Sequence, residues 1–423
     1  MIFMLLAAVL AIPIIVMTND WPGWLLVCAT FVVVPLLLCF RRRPRQVLAI
    51  WATLVLHHVV AIVNAYFFTI LGAGSDALDF HRWASATAYS RAFDFSLGAP
   101  FYRSALALAY SAAGPSLLLG GETSVLAYAL SCVVLVRLLD LLKIERHQVG
   151  CILIFGLLPA VACFGSVTLR EAWEILFFMT SVYFLLRFRV QAKPSALFLG
   201  LSCAALMALL HNGLVLYALC MVPYTLFARI GRRLSLSLAR LLGAGLVAAV
   251  LAALAVAVLT HNLPNADTIT HVMQGDALRY AAKYREHGDM RSRAEYDVKL
   301  DASSPAAFLR SAPLVYVYYQ FSPLPGQIHG LLDVLAALDT WFRMLLIGFS
   351  IWAWWSRPPG LDRNVHRFLL ILYFSMSGLW AMGTINYGTG IRHHIVAIWI
   401  LILLGAPPLL DRAPAFMRAR LPS

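Results

Sequence analysis

The chain has 423 residues, 61% of them hydrophobic, with 33 lysines and arginines against 20 acidic residues and a formal net charge of +13; its mean hydropathy is +0.79. That composition leaves little chain for a separate soluble domain and makes the fold class all-α, a polytopic membrane protein. The basic excess does not imply a nucleic-acid partner, because the arginines fall in short turns between apolar segments and form no groove-facing stripe.

A spanning helix needs roughly 17 to 25 mainly apolar residues. In chain order, such stretches predict about 12 transmembrane helices at 2 to 17, 22 to 40, 48 to 71, 123 to 142, 149 to 166, 173 to 190, 195 to 211, 214 to 230, 239 to 260, 334 to 356, 367 to 385 and 394 to 411. No basic run precedes the first segment and a second span follows closely, so it is expected to be a retained helix, not a cleaved signal. All seven cysteines fall inside these spans without paired spacing, and read as small packing residues.

This threading puts both termini on one side, together with twenty basic residues from Arg41 to Arg420 and only Asp140, Glu145, Asp362 and Asp411. The other side keeps 13 basic and 16 acidic residues, so the whole positive excess lies on one face. Cytoplasmic loops carry such a bias, which predicts N-in and C-in orientation. The expected organisation is an N-terminal hairpin over 1–47, a helical module over 48–260 with an outer loop at 72–122, a second large outward loop over 261–333, and C-terminal spans with a short tail over 334–423.

Cytoplasmic turns are plain connectors such as Arg43-Pro44, Lys193-Pro194 and Pro358-Pro359-Gly360. The outward segments are longer and more polar, so chemistry is expected there. Segment 104 to 118 is apolar, too short to span and interrupted by Gly114-Pro115, which predicts a re-entrant or interfacial element. In the second outward loop, residues 274 to 287 have helical spacing, and Ser304-Pro305 resembles the cap and first-turn proline of a helix ending near Phe321. No internal repeat stands out, which weakens a secondary-transporter reading.

The densest polar cluster of the first outward loop is Asp76, Asp79, His81 and Arg82. A carboxylate there can accept a proton from an attacking hydroxyl, and an Asp/His group can also hold a divalent metal such as Mg or Mn. A solvated, capped loop helix would carry the same residues. Arg170 and Glu171 mark the turn between the fifth and sixth spans, where an ionised pair is costly unless it serves a ligand or a partner; a guanidinium suits phosphate because its forked donors bind two oxygens. Arg392, His393 and His394 follow Asn386-Tyr387-Gly388-Thr389-Gly390 at the last outward tip, offering anion binding, proton transfer and glycines that permit close backbone approach to a ligand. A glycine-rich turn followed by boundary anchors is the alternative. His211 and Asn212, at a hairpin tip, are placed to line the same cavity as Arg170, while Arg279, Tyr280 and Lys283 offer a grip on phosphate or sugar, or only a solvated face. His57 and His58 lie mid-span and read best as buried hydrogen bonds to other helices.

From the third span onward, a helix, a long outward loop with an Asp cluster and an interfacial segment, six further spans and a second large outward loop follow one another. This order resembles the GT-C membrane glycosyltransferases, whose shared seven-helix module carries a catalytic aspartate in its first outer loop; the resemblance covers roughly 48 to 333. Segments 166–171, 321–325 and 386–392 are similar to bacterial surface-polysaccharide polymerases of the O-antigen type. The resemblance implies a polyprenyl-phosphate or polyprenyl-pyrophosphate sugar donor, a glycan or lipid-linked acceptor, and polysaccharide-assembly partners in the cell envelope. It makes Asp76 or Asp79 the catalytic carboxylate, and Arg170 and Arg392 the leading groups for the donor phosphate. The loop has Asp-Ala-Leu-Asp where the family pattern has adjacent acids, and a hairpin at 2–40 precedes the module.

Three functions follow as expectations. The first is a glycosyltransferase or glycan polymerase working on the outward face. The second is a flippase for the lipid-linked glycan, which needs polar groups along a path through the bundle. The third is an acyl- or phospho-group transferase that modifies glycans, with His81, His393 or His394 as base.

Overall fold

The computed structural model describes residues 18–40, 42–70, 74–227, 294–296, 298–301, 303–356 and 362–412. The expected spans at 2 to 17 and 239 to 260, and the candidate residues Arg279, Tyr280 and Lys283, lie outside the described residues. Among the described residues there is no strand, only an isolated bridge between Glu295 and Asn386. The helices are α1 (Trp21–Leu38), α2 (Pro44–Tyr66), α3 (Gly74–Ser90), α4 (Ala99–Ala113), α5 (Leu117–Leu141), α6 (Gln148–Leu157), α7 (Pro159–Phe164), α8 (Glu171–Gln191), α9 (Pro194–Leu210), α10 (Asn212–Phe227), α11 (Pro305–Phe321), α12 (Leu331–Ser356), α13 (Arg363–Gly383) and α14 (Tyr387–Arg412). Six of them, α1, α2, α5, α12, α13 and α14, are 18 to 26 residues long and apolar enough to cross a membrane. The protein is therefore a helical membrane protein, in which each spanning segment satisfies its own backbone hydrogen bonds.

Local chemistry sets the helix ends. Prolines open α2, α7, α9 and α11 in the first turn, where the missing N–H costs nothing. Ser304 caps α11 as expected, its hydroxyl accepting from Ala307 N at 3.1 Å. The stretch expected as one span at 149 to 166 is instead broken: Leu158 is extended (φ −60, ψ 125) between α6 and α7, because a residue before proline is pushed out of the helical region. A second correction concerns α5, which starts at Leu117 and not near 123, so Glu122 belongs to a buried helix and not to the outer loop.

Helix α14 is the central post. A helix at the edge of the bundle would turn one stripe outward, but here every residue from His394 to Ala406 is buried, the mark of a helix enclosed on all sides. Close packing against α12 depends on Gly405, where an added Cβ would run into the backbone oxygen of Leu346; small residues at such contacts let helix backbones approach. On the outside, α12 exposes Leu331, Leu335, Leu338, Trp341, Leu345 and Trp355, as a lipid-facing surface would.

The helix ends gather into two polar layers. At one end Arg43 pairs with Asp140 at 2.8 Å, Gln148 bridges Gln46 and Asp140, and Arg146 and His147 approach Asp411 at 3.5 Å. These residues come from the turns expected on the basic side. At the opposite end Asp20 accepts hydrogen bonds from Tyr66 at 2.8 Å and Ser116 at 2.5 Å. The chain thus leaves α2 and enters α5 at the same place, so α3 and α4 form an excursion that returns to its own side.

Candidate functional site

Three helix starts build the centre of the second layer. Helix α8 begins at Glu171 and carries Glu174 in its first turn, where the amide dipoles favour negative charge. Arg170, just before it, donates from Nη1 to Leu210 O at 3.1 Å, tying α8 to the C-terminal end of α9, and its Nε is 3.4 Å from Glu174 Oε1. Asn386 starts α14 by accepting from Thr389 N at 2.8 Å, so Arg392 projects from the second turn. Asp76 lies in the first turn of α3.

Arg392 joins these elements. Its Nε and Nη2 both donate to Glu171 Oε1, at 3.0 and 2.5 Å, and its Nη1 donates to Asp76 Oδ2. The two carboxylates differ in setting: the Glu171 side chain is 2% exposed and that of Asp76 53%. Glu171 Oε2 and both oxygens of Glu174 are buried without hydrogen-bond partners among the described residues. Arg170 is the cation that approaches Glu174.

Two imidazoles border this cluster. The His393 ring stacks on Trp380 with centroids 4.1 Å apart, and the His211 ring meets Trp380 edge-on at 4.6 Å. Thr384 Oγ1 donates to Trp380 O at 2.7 Å and lies 2.8 Å from His393 Nδ1. Its one proton is committed, so the neutral His393 ring carries its proton on Nδ1 and leaves Nε2 as an acceptor. His211 Nδ1 accepts from Gly213 N at 3.2 Å, so its Nε2 is a donor. The rings, 6.2 Å apart, offer one proton acceptor and one proton donor.

No protein-family model, no curated protein and no solved structure matches this chain. The site stands on its own geometry.

Of the candidates from sequence, Asp76, Arg170, Glu171, His211, Arg392 and His393 come together. Asp79 and Arg82 do not: they form an exposed pair at 3.8 Å along α3. His81 faces the other way, its Nδ1 2.9 Å from the Tyr110 hydroxyl, and burial, with the Arg82 charge behind it, holds its pKa below the ordinary imidazole value. His394, a candidate base, is buried with Nε2 2.9 Å from Tyr319 O. The close approach that Gly390 permits is taken by this chain's own Tyr296, whose hydroxyl would be 2.5 Å from an added Cβ. His57 and His58 make the buried hydrogen bonds to other helices expected of them: His57 Nε2 is 3.2 Å from Gly156 O and His58 Nδ1 is 2.8 Å from Glu122 Oε2. Among the described residues, no group of three or more His, Cys, Asp or Glu side chains is placed to hold a metal ion.

Glu174, Thr384 and Trp380 are not among the residues that sequence reasoning singles out. Glu171-x-x-Glu174 at the head of an apolar stretch is a usable signal, since ionisable groups within spans are functional candidates by default. Thr384 and Trp380 carry no such signal; only their packing on His393 gives them a role.

Proposed function

We propose that the protein is a membrane glycosyltransferase or glycan polymerase with about 12 spans and both termini in the cytoplasm. It takes a sugar or repeat unit from a polyprenyl-phosphate or pyrophosphate carrier on the outward face of a bacterial plasma membrane. The observation that carries this reading is the Arg392 guanidinium clasped between Asp76 of the first outward segment and Glu171 of the next, with Arg170 alongside. In such a transfer the bond from the sugar anomeric carbon to the lipid phosphate oxygen breaks, and that carbon bonds to an acceptor hydroxyl oxygen. The hydroxyl proton passes to a base, Asp76 or His393 Nε2, and the departing phosphate keeps the electron pair. Negative charge grows on that phosphate as the bond breaks, so preorganised guanidinium groups stabilise the transition state more than the ground state.

The reading is tested by mass profiling of lipid-linked and surface glycans in cells lacking the gene, complemented with wild type, Arg392→Ala or Asp76→Asn. A single repeat unit accumulating on its lipid identifies a polymerase, and a unit short of one sugar a single-sugar transferase. Unchanged glycans would end the glycosyl-transfer reading.

Transport of the lipid-linked glycan is the second reading. It is favoured by ionisable groups buried inside spans: His58 with Glu122, and Arg343 on α12, which donates to Gln320 O at 2.6 Å near the buried Asp339. A complete unit trapped on the inner leaflet in the deletion strain selects it.

A further inference from the structure

Arg392 has two unequal carboxylate partners, and the inequality points to a ligand. Glu171 takes Nε and Nη2 from inside the bundle, where breaking the pair would strand a buried charge. Asp76 takes only Nη1, from a half-exposed position at the first turn of α3, and can swing into water at small cost. A guanidinium fixed along one edge and met by a solvent-facing oxygen anion along the other is a preformed seat for an anion.

We propose that Asp76 is a displaceable stand-in for a phosphate oxygen of the substrate at Nη1 of Arg392. This rests on the glycosyl-phosphate reading above. A phosphate carries more charge than a carboxylate and offers several oxygens to a forked donor, and Arg170, paired with Glu174 in the same first turn as Glu171, adds a second cation to the cluster. When the phosphate seats, Asp76 is released as an ionised carboxylate beside the substrate. That carboxylate thus becomes available to the acceptor only once the donor is bound, and is otherwise held in the ion pair with Arg392.

The two roles of Asp76 oppose each other in one variant. Asp76→Asn removes an internal competitor for Arg392 and so tightens phosphate binding, while it removes a carboxylate and so slows turnover. A merely structural ion pair would give no tightening. Asp79→Asn makes the same change of charge three residues away without touching Arg392, and is the control for general electrostatics.

The test measures binding of farnesyl phosphate, inorganic pyrophosphate and neutral farnesol to the full-length purified protein in detergent micelles, with melting curves confirming that each variant is folded. Asp76→Asn is expected to bind farnesyl phosphate about tenfold tighter than wild type, the scale of one charge-assisted hydrogen bond, with Asp79→Asn changing affinity less than about twofold and farnesol unaffected. Equal gains for pyrophosphate and farnesyl phosphate support exchange with a free phosphate, and a gain confined to farnesyl phosphate supports exchange with a lipid headgroup. Unchanged or weaker binding in Asp76→Asn, with wild type still binding phosphate, overturns the exchange and leaves the proposed function standing. Absence of phosphate binding in every form overturns both. Tighter binding together with unchanged glycans in the deletion strain keeps the exchange and removes glycosyl transfer.

Discussion

Glu171 Oε1 accepts two hydrogen bonds from the Arg392 guanidinium across 221 residues of chain. This contact fastens the N-terminal end of α8 to the second turn of α14, and it does so with both groups largely withdrawn from solvent. Two ionised groups in such a place depend on each other.

Glu171→Gln is therefore expected to lower stability by about 3 kcal/mol, the low end for breaking a buried pair, because Arg392 keeps Asp76. Arg392→Lys retains the charge but loses the fork that reaches both carboxylates, and should melt between wild type and Glu171→Gln. Thermal unfolding in detergent reads both; a Glu171→Gln protein as stable as wild type would show that the pair is not a structural tie.

Much of the helix pattern is legible in the sequence, because a spanning segment announces itself by length and apolarity. The expected spans near 48 to 71, 334 to 356 and 394 to 411 correspond to α2, α12 and α14, and the Ser304-Pro305 cap is where its chemistry put it. Depth and neighbourhood are not legible. Lipid and protein interior are equally apolar, so nothing in the residues of α14 marks it as the central helix rather than a peripheral one. Arg343 stays hidden because a long hydrophobic window averages over a few charges, and Glu122 because its helix begins at Leu117, before the apolar run that marks the span. The Asp76 to Arg392 contact, 316 residues apart, is set by tertiary packing that a single sequence does not display.

Thr384 is expected to act on chemistry through His393. Thr384→Val preserves shape but removes the oxygen that holds the Nδ1 proton, so the ring loses its reason to present Nε2 as the acceptor. Turnover should fall about tenfold or more, within the span assigned to general acid-base assistance, with the donor KM little changed. Steady-state kinetics with a purified lipid-linked donor decides it, and wild-type turnover in Thr384→Val would deny His393 the role of base.

Gly405 and Gly348 lie on α14 and α12 but in opposite environments. An added Cβ at Gly405 would collide with Leu346 O and stand 2.8 Å from Ser350 Oγ, whereas at Gly348 it meets nothing within 4 Å among the described residues. Backbone cannot yield as a side-chain tip can, so Gly405→Ala should cost about 1 to 3 kcal/mol by overpacking. Gly348→Ala should be neutral or slightly stabilising through helix propensity. Equal melting temperatures for the two variants would contradict the close approach of α12 and α14.

Orientation is open to chemical labelling. Asp79, Ser303 and Arg146 are all exposed, and charge bias assigns the first two to the outside and the third to the cytoplasm. In a background with the seven native cysteines replaced, Asp79→Cys and Ser303→Cys should react with an impermeant maleimide on intact spheroplasts. Arg146→Cys should react only after permeabilisation. The reverse pattern would turn the site toward the cytoplasm and remove an outward donor from consideration.

His81 sets a pH dependence that can be signed. Burial, followed by repulsion from Arg82, holds its pKa below the ordinary imidazole value in the folded protein. The unfolded chain therefore binds a proton first as pH falls, and protonation favours unfolding. The stability associated with neutral His81 is fully present above the unfolded value, about 6.5, and is lost progressively as pH falls from there through the lower folded pKa. Between about pH 7 and pH 5 the wild-type melting temperature should thus drop more than that of His81→Gln, which has no proton to bind but can still hydrogen-bond Tyr110. Parallel pH profiles for the two proteins would show that the shift of His81 has no consequence for folding.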